Sequence, residues 1–489
     1  MDTMEPPPYD FKQLLTLRPG DSAGVEDFVG PIDVAWVPGK GRGILVQRDV
    51  PQGELLFACK AMAVAETPKL VEVTCQKLRN CGREDFDAFF LLCTRRATPN
   101  DLPQLRHGKG GGVTVIPRME RKEVKREEVQ AILSANAHEL DTSDLCCQKP
   151  GKTVSGIFLL ASLVNHSCQP SAARIFLGDM MFVRAARHMR AGDEVTDGYV
   201  SVVQPATERR KAIRERYGFD LTGDRILLEE QLFSEAVVQQ ILDRIDDSAA
   251  VEDFIQILDD VGDLVASQLR RLSSASVAVR AAAKAMGCGV ERVLLGGLVL
   301  AVQVAVATIL SDLKRHHEAA AAYCRCCWFM EELAPHNAYH AKWAVEALLS
   351  ASRGGVALEG YAGYARKVLE GHCGPGALEV ALGASKAIQG MEDATRTCPP
   401  GEVEVTCRVG KDLTVQLELP GPLSAQDLEL AVSSQLLDLS LPIQFGGFGL
   451  LPRCRGLLLV LPKEIDPDSG TVRLSQGGRR LKATFKVIN

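Results

Sequence analysis

Val293 to Leu310 reads VLLGGLVLAVQVAVATIL, an almost wholly apolar run near the minimum length for a membrane span. Gln303 and Thr308 interrupt it, and Glu291, Arg292, Asp312 and Lys314 flank it closely. Such a run has two destinations: a bilayer, or the interior of a helical domain able to cover it on every side. Its surroundings point to the second. Helical spacing recurs in Leu227–Arg244, Val251–Leu272, Val277–Lys284, Glu291–Lys314, His317–Leu333, Tyr339–Ala351, Tyr361–Leu369 and Ala377–Ile388. Helices of this length in succession suggest a helical-repeat (TPR-like) stack over 226–392, and no membrane contact is expected.

The sequence on either side has a β texture. Toward the amino terminus, Gly43–Val50 and Glu54–Val64 read as two strands around the turn Pro51-Gln52-Gly53. Asp85–Arg96 and Glu120–Asn136 read as helices, the second with the charge run RKEVKREE on a solvated outer face. Pro399-Pro400 marks a linker over 393–402. Beyond it, short alternating segments from Val403 to Asn489 indicate an antiparallel sandwich. A hydrophobic content of 46% supplies apolar surface for several cores. The net charge of −6 argues against a task resting on non-specific nucleic-acid binding, so no direct nucleic-acid partner is expected. The fifteen cysteines are irregularly spaced, and a Pro-rich acidic start replaces a secretory pattern, so reduced thiols and a cytosolic or nuclear location are expected.

Four clusters before residue 222 carry polar chemistry. Gly39-Lys40-Gly41-Arg42-Gly43 precedes a strand; such a turn either brings backbone close to a ligand or simply joins two strands. Asn165-His166-Ser167-Cys168-Gln169-Pro170 follows the apolar run Ile157–Val164, which sets two hydrogen-bonding side chains at the edge of a core. Ala191-Gly192-Asp193-Glu194-Val195-Thr196-Asp197-Gly198-Tyr199 is the third cluster. The fourth is Arg209-Arg210-Lys211, which leads to Tyr217-Gly218-Phe219-Asp220.

In that order, GKGRGILVQRDVPQGELLF, ILSANAHEL, GIFLLASLVNHSCQP, MMFVRAARHMRAGDEVTDGYV and ERRKAIRERYGFD resemble the SET-domain protein lysine methyltransferases, in particular their SMYD branch. The resemblance covers roughly residues 30–222. It implies a β-rich SET fold with knot-like threading, S-adenosylmethionine (SAM) on one side and a narrow lysine channel on the other. It implies that Gly41, Arg42 and Gly43 hold the methionine part of SAM and that Asn136 reaches the cofactor. Asn165 and His166 would hold its adenine and amine, and Phe219 would stack on the adenine. Tyr199 would stand beside the transferred methyl and Tyr217 would line the lysine channel. The partner implied is a protein with an accessible lysine, and neither a metal nor an acidic general base is required.

Two zinc modules of the SMYD branch have no counterpart letters. The stretch where its MYND finger is inserted holds only Cys75, Cys81 and Cys93. Of the post-SET cysteines only Cys168 is present; the later positions read Leu221, Gly223 and Ile226, and one thiolate cannot build a tetrahedral site. That end is expected to be held by packing or to be mobile. Ser171 and Gly198 also depart from common family letters. Cys324-Arg325-Cys326-Cys327, near His316 and His317, is read as core and surface thiols, because neighbours on a helix point apart. The segment LTVQLELPGPLSAQDLELAVSSQLLDL with GLLLVLPKEIDPDSGTVRLSQGGRRLKATFKV resembles the CS-like domain of PIH proteins, which implies a chaperone-complex partner; a generic sandwich fits equally. The expected architecture is multidomain α+β: an extension (1–29), a SET domain (30–225), the helical domain (226–392), a linker (393–402) and a CS-like β-sandwich (403–489). Two functions follow, a lysine methyltransferase or a SET-fold adaptor.

Overall fold

The computed structural model describes residues 5–92, 102–115, 123–140, 153–248, 250–356, 358–382, 404–418, 429–433, 436–440, 457–461 and 463–488. The amino-terminal β region is built from small sheets. Strands β1 (Ile32–Val37), β2 (Gly41–Val46), β3 (Leu55–Lys60), β4 (Asn165–His166), β5 (Ala172–Leu177), β6 (Met180–Ala185) and β7 (Glu194–Asp197) frame the region that matters for function. One sheet runs β4-β7-β2-β1, with β4 and β7 parallel and His166 opposite Asp197. A second sheet contains β5-β6-β3 and continues to Phe28–Val29 and Gly108–Lys109.

Phe28–Val29 pairs with β3, so residues expected to form an extension supply a strand of the second sheet. Further upstream, the ring of Phe11 lies 5.3 Å from that of Phe182, at an angle of 67°. A Cβ on Gly374 would come within 2.6 Å of the Phe11 ring. The amino terminus is thereby wedged between the β region and the helices.

Strand alternation explains how one strand serves two cores. On β5, Ile175 and Leu177 join the core of the helical region, while Phe176 packs against the β-region core. Arg174 lies on the Phe176 side by the same two-residue period.

Helices α1 (Arg126–Asn136), α2 (Ala206–Tyr217), α3 (Asp224–Leu232), α4 (Glu235–Asp247), α5 (Val251–Arg270), α6 (Val290–Asp312), α7 (His316–Leu333), α8 (Ala338–Arg353) and α9 (Glu359–Cys373) follow. The sequence period reads α3 and α4 as one helix; the structure breaks it at Phe233–Ser234. The Ser234 hydroxyl accepts the Val237 N–H at 3.4 Å and starts a new helix. From α6 to α9, successive helices pack on one another.

The apolar run lies in α6. By length and composition Val277–Asp312 could cross a membrane, and 61% of its most apolar window is buried inside the protein. Gln303 donates to the Ala322 carbonyl at 3.3 Å, so the polar residue inside the run is satisfied. The two glycines mark close approaches. A Cβ on Gly296 would lie 2.6 Å from Leu333 Cδ1, and one on Gly297 would lie 2.4 Å from Glu229 Oε1.

The carboxy-terminal strands form a four-stranded antiparallel sheet, in order Glu404–Val409, Asp412–Glu418, Arg480–Lys486 and Thr471–Ser475. A three-stranded sheet holds Glu429–Val432, Leu436–Ser440 and Leu457–Val460. Leu413, Val415, Leu417, Leu481, Ala483 and Phe485 belong to the same buried cluster as the helical core. The expected helix to Ile388 is described only as Ala377–Ala381; residues 383–403 lie outside the described residues, as do Cys93 and the start of the 121–128 charge run.

Candidate active site

The turn between β1 and β2 is held by Asn165 and Glu194 from neighbouring strands and by its own Lys40. Gly41 has φ +84°, a left-handed conformation that glycine adopts without penalty. A Cβ on Gly43 would meet Asn165 Nδ2 and Val37 Cγ2, both at 2.7 Å. Asn165 explains the fit: its Nδ2 donates to the Arg42 carbonyl at 3.0 Å and to Glu194 Oε1 at 2.9 Å. The other oxygen of Glu194 takes the Lys40 ammonium at 2.6 Å. One carboxylate therefore ties β7, β4 and the turn together and leaves the Gly41–Gly43 backbone in front of the Asn165-His166 pair.

His166 works as a support. Its Nδ1 accepts the Tyr199 N–H at 3.0 Å, which places the ring proton on Nε2, 3.5 Å from the Cys168 sulfur. Burial, then the cations Arg209, Lys40 and Arg225, lower its pKa to about 4, so the ring is neutral at physiological pH. The phenol of Tyr199 donates to the Val164 carbonyl at 2.5 Å. Burial raises the pKa of both tyrosines, which keeps Tyr199 and Tyr217 as neutral donors.

The two tyrosine rings lie 4.8 Å apart at 42°. Phe219, 40% exposed, stands 6.3 Å from Tyr217 and 6.4 Å from His166. An aromatic face left this open beside a backbone turn suits a flat ligand.

A cavity of about 290 Å³ opens between the carboxyl end of α1, β7 and the carboxyl end of α2. Asn136, Tyr199 and Tyr217 all line it. Asn136 is anchored through Nδ2 to the Ile132 carbonyl at 2.8 Å. Residues that the sequence reading passed over share the wall: His138, Arg174, Asp197 and Arg216. Arg174 and Asp197 form an ion pair. The Arg216 guanidinium sits 5.3 Å over the Tyr217 ring. Burial, Arg174 and Arg216 depress His138 to about 3. Asp197 was visible inside the third sequence cluster; the signal for Arg174 was a lone charge in the otherwise apolar strand AARIFL. A larger cavity, about 490 Å³, lies beside β3 among Asp27, Lys60, Asp85 and Arg106. It holds none of the expected residues, so the site is assigned to the smaller one.

The segment after Tyr199 is closed by packing. Cys168, Ile213, Leu221 and Ile226 form one buried cluster, with Tyr199 and Tyr217 packed against it. Beneath it Arg225 donates to the Cys168 carbonyl at 2.8 Å, the Val202 carbonyl at 2.6 Å and Glu229 Oε1 at 2.8 Å. Arg209 pairs with the other oxygen of Glu229 and donates to the Gln204 carbonyl at 2.9 Å. Gln169 and Arg187 each donate to the Glu332 carbonyl at 3.2 Å, which docks the same loop on α7.

The thiols of the Cys324–Cys327 run are core groups: Cys324, Cys326 and Cys327 are all buried, and burial raises the pKa of Cys326 and Cys327. Among the described residues no group of three His, Cys, Asp or Glu side chains is placed to hold a metal ion.

Of the expected residues, Asn136, Tyr199 and Tyr217 line the cavity, whereas Gly41, Arg42, Gly43, Asn165, His166 and Phe219 lie outside its wall, His166 and Phe219 standing directly behind the two phenols. Comparison with known proteins places a SET domain over residues 41–200. The mouse histone-lysine N-methyltransferase SMYD3 is 33% identical over 113 residues, 21% of this chain and 26% of that one. The human SMYD3 is 30% identical over 132 residues, 25% and 30% of the two chains. The N-lysine methyltransferase SMYD2-B of Xenopus laevis is 24% identical over 248 residues, 37% of this chain and 57% of that one. The chain thus spans under a third of the length of the SMYD3 proteins. A solved SET domain of LSMT bound to lysine and AdoHcy aligns over 63% of this chain and 90% of its own at 12% identity, with a TM-score of 0.22.

Proposed function

We propose that this chain is a SAM-dependent protein-lysine N-methyltransferase that takes a lysine side chain into the cavity between Tyr199 and Tyr217. The observation that carries the reading is convergence: Asn136, Tyr199 and Tyr217, from separate parts of the chain, line one cavity, and His166 and Phe219 stand against those tyrosines while Asn165, next to His166, holds the Arg42 carbonyl of the turn. The residues fit SAM. The Gly41–Gly43 backbone and Arg42 would face its methionine part, with Asn136 beside them. The backbone of Asn165 and His166 would meet the amine and adenine, and the open ring of Phe219 would cover the adenine. Bound there, SAM would supply a sulfonium methyl to the amine lone pair, its C–S electron pair remaining on sulfur and the amine's surplus proton leaving to water.

The protein's own contribution is placement and charge. Packing of Tyr199 and Tyr217 strips water from an entering ammonium, which lowers its pKa toward the neutral, nucleophilic form. The Tyr199 phenol, fixed on the Val164 carbonyl, and the carbonyls around it orient the amine for in-line attack. His166 acts through Tyr199, because its Nδ1 holds that residue's backbone N–H.

The test couples calorimetry with labelling. The chain should bind SAM and transfer tritiated methyl to acceptors in an unfractionated protein extract. Tyr199→Phe should lower transfer by about a hundredfold while leaving SAM affinity unchanged. A chain that neither binds SAM nor labels any protein contradicts the reading.

A second reading rests on the carboxy-terminal sheet. Both edge strands of the four-stranded sheet expose an apolar side chain, Val409 at 49% and Val472 at 41%. Exposed edges invite partner strands. On this reading residues 403–489 form a CS-like module that brings a chaperone-type partner to the chain, with the TPR-like helices as scaffold, in cytosol or nucleus. Affinity capture with the full chain, against one lacking 403–489, should lose chaperones with the deletion; equal capture contradicts it.

A further inference from the structure

An amine pocket walled by a carboxylate poses a problem. Asp197 lines the candidate cavity with Tyr199 and Tyr217, and an anion there favours the ammonium over the neutral amine that the reaction requires. Asp197 is also fixed in place: Oδ1 accepts the Gly198 N–H at 2.7 Å, and its strand pairs it with His166. Arg174, from strand β5 of the other sheet, lines the same cavity and closes on its carboxylate. We propose that Arg174 is an electrostatic positioning residue of the pocket, whose pairing with Asp197 cancels the carboxylate's hold on a cation so that the substrate amine stays neutral when bound. This inference rests on the methyltransferase reading and deepens it by naming what sets the pH range of the reaction.

The other charged and titratable groups around the pair do not supply that cancellation. His138, on the short strand His138–Glu139, is neutral, with its pKa lowered to about 3. Glu139 beside it is exposed and carries the wrong sign. Arg216 of α2 lies over the Tyr217 ring rather than against Asp197. Tyr199 and Tyr217 are neutral phenols. Behind β5, His372 of α9 is buried and neutral, with a pKa lowered to about 3. Arg174 is the cation paired with the carboxylate.

Removing one member of the pair exposes the charge of the other, and the two removals act in opposite directions. In Arg174→Met the uncancelled carboxylate stabilises the ammonium. The acid limb of the rate at bound substrate should move up by about one pH unit, and transfer at neutral pH should fall roughly tenfold. In Asp197→Asn the uncancelled guanidinium disfavours the ammonium, and the limb should move down. Combining the two substitutions should return the limb close to its starting position, a rescue that simple loss of folding does not produce.

The experiment measures single-turnover transfer from tritiated SAM to an unfractionated protein extract, with enzyme in excess, from pH 6 to 10 for the parent chain and the three variants. SAM affinity, followed by calorimetry, should be the same in all four. Opposite shifts with rescue in the double variant are expected. A shared acid limb in four active chains overturns the role of Arg174 alone. A parent chain that labels nothing overturns the methyltransferase reading and this inference with it.

Discussion

Two walls meet at Tyr199 and are held together by different physics. The wall of the Gly41–Gly43 turn is a hydrogen-bonded lattice: Asn165, Glu194 and Lys40 link it at 2.6–3.0 Å. The wall formed by Cys168, Ile213, Leu221 and Ile226 is apolar, and it rests on a buried ion cluster of Arg209, Glu229 and Arg225. The first wall is built from polar contacts that fix a stretch of backbone. The second backs the phenols with buried apolar side chains, Cys168 among them. Backbone can thus be fixed by polar links on one side of Tyr199 and by burial on the other, where two guanidinium groups share the Glu229 carboxylate one layer deeper.

The sharpest way to break that contrast is to remove the deeper layer. Glu229→Leu leaves two buried guanidinium groups without their anion and should cost about 3–5 kcal/mol, seen as a large drop in the thermal midpoint. Gly43→Ala acts on the other wall. Its methyl must displace Asn165 or Val37, so stability should fall by about 1–3 kcal/mol, seen as a lower midpoint, and SAM affinity measured by calorimetry should fall with it.

The fold as a whole should also respond to acid. His166 and His336 have pKa values lowered to about 4, and His138 and His372 to about 3, chiefly by burial. Each contributes stability that is present above the unfolded value near 6.5 and is lost as pH falls toward the folded value. Midpoints measured from pH 8 to pH 4 should hold down to about 6.5 and then fall. The smallest expected effect sharpens the reading of the apolar wall: a chelator should leave the midpoint unchanged, whereas a marked fall would mean that a metal closes that end.

Legibility in the sequence followed the same division. The turn, Asn165, His166 and Tyr199 each sit in a short contiguous motif, and Phe219 lies two residues after Tyr217, so their nearness to one another was open to a local reading. Helix positions between 251 and 353 were readable from period alone. The break at Ser234 was not, since the apolar spacing runs through it and a single cap decides the outcome. Arg174 and Arg225 were hidden for another reason. Their partners, Asp197 in one case and the Cys168 and Val202 carbonyls in the other, are set by strand pairing and packing across distant segments. The role of Phe11 and Phe28 in joining the amino terminus to the fold was equally non-local.

The most direct measurement is a crystal structure of the chain with S-adenosylhomocysteine. On the methyltransferase reading its adenine lies on Phe219 and its sulfur points into the cavity between Tyr199 and Tyr217, with that cavity open to the surface. A ligand bound elsewhere, or a sulfur separated from the two phenols by closed protein, would contradict it.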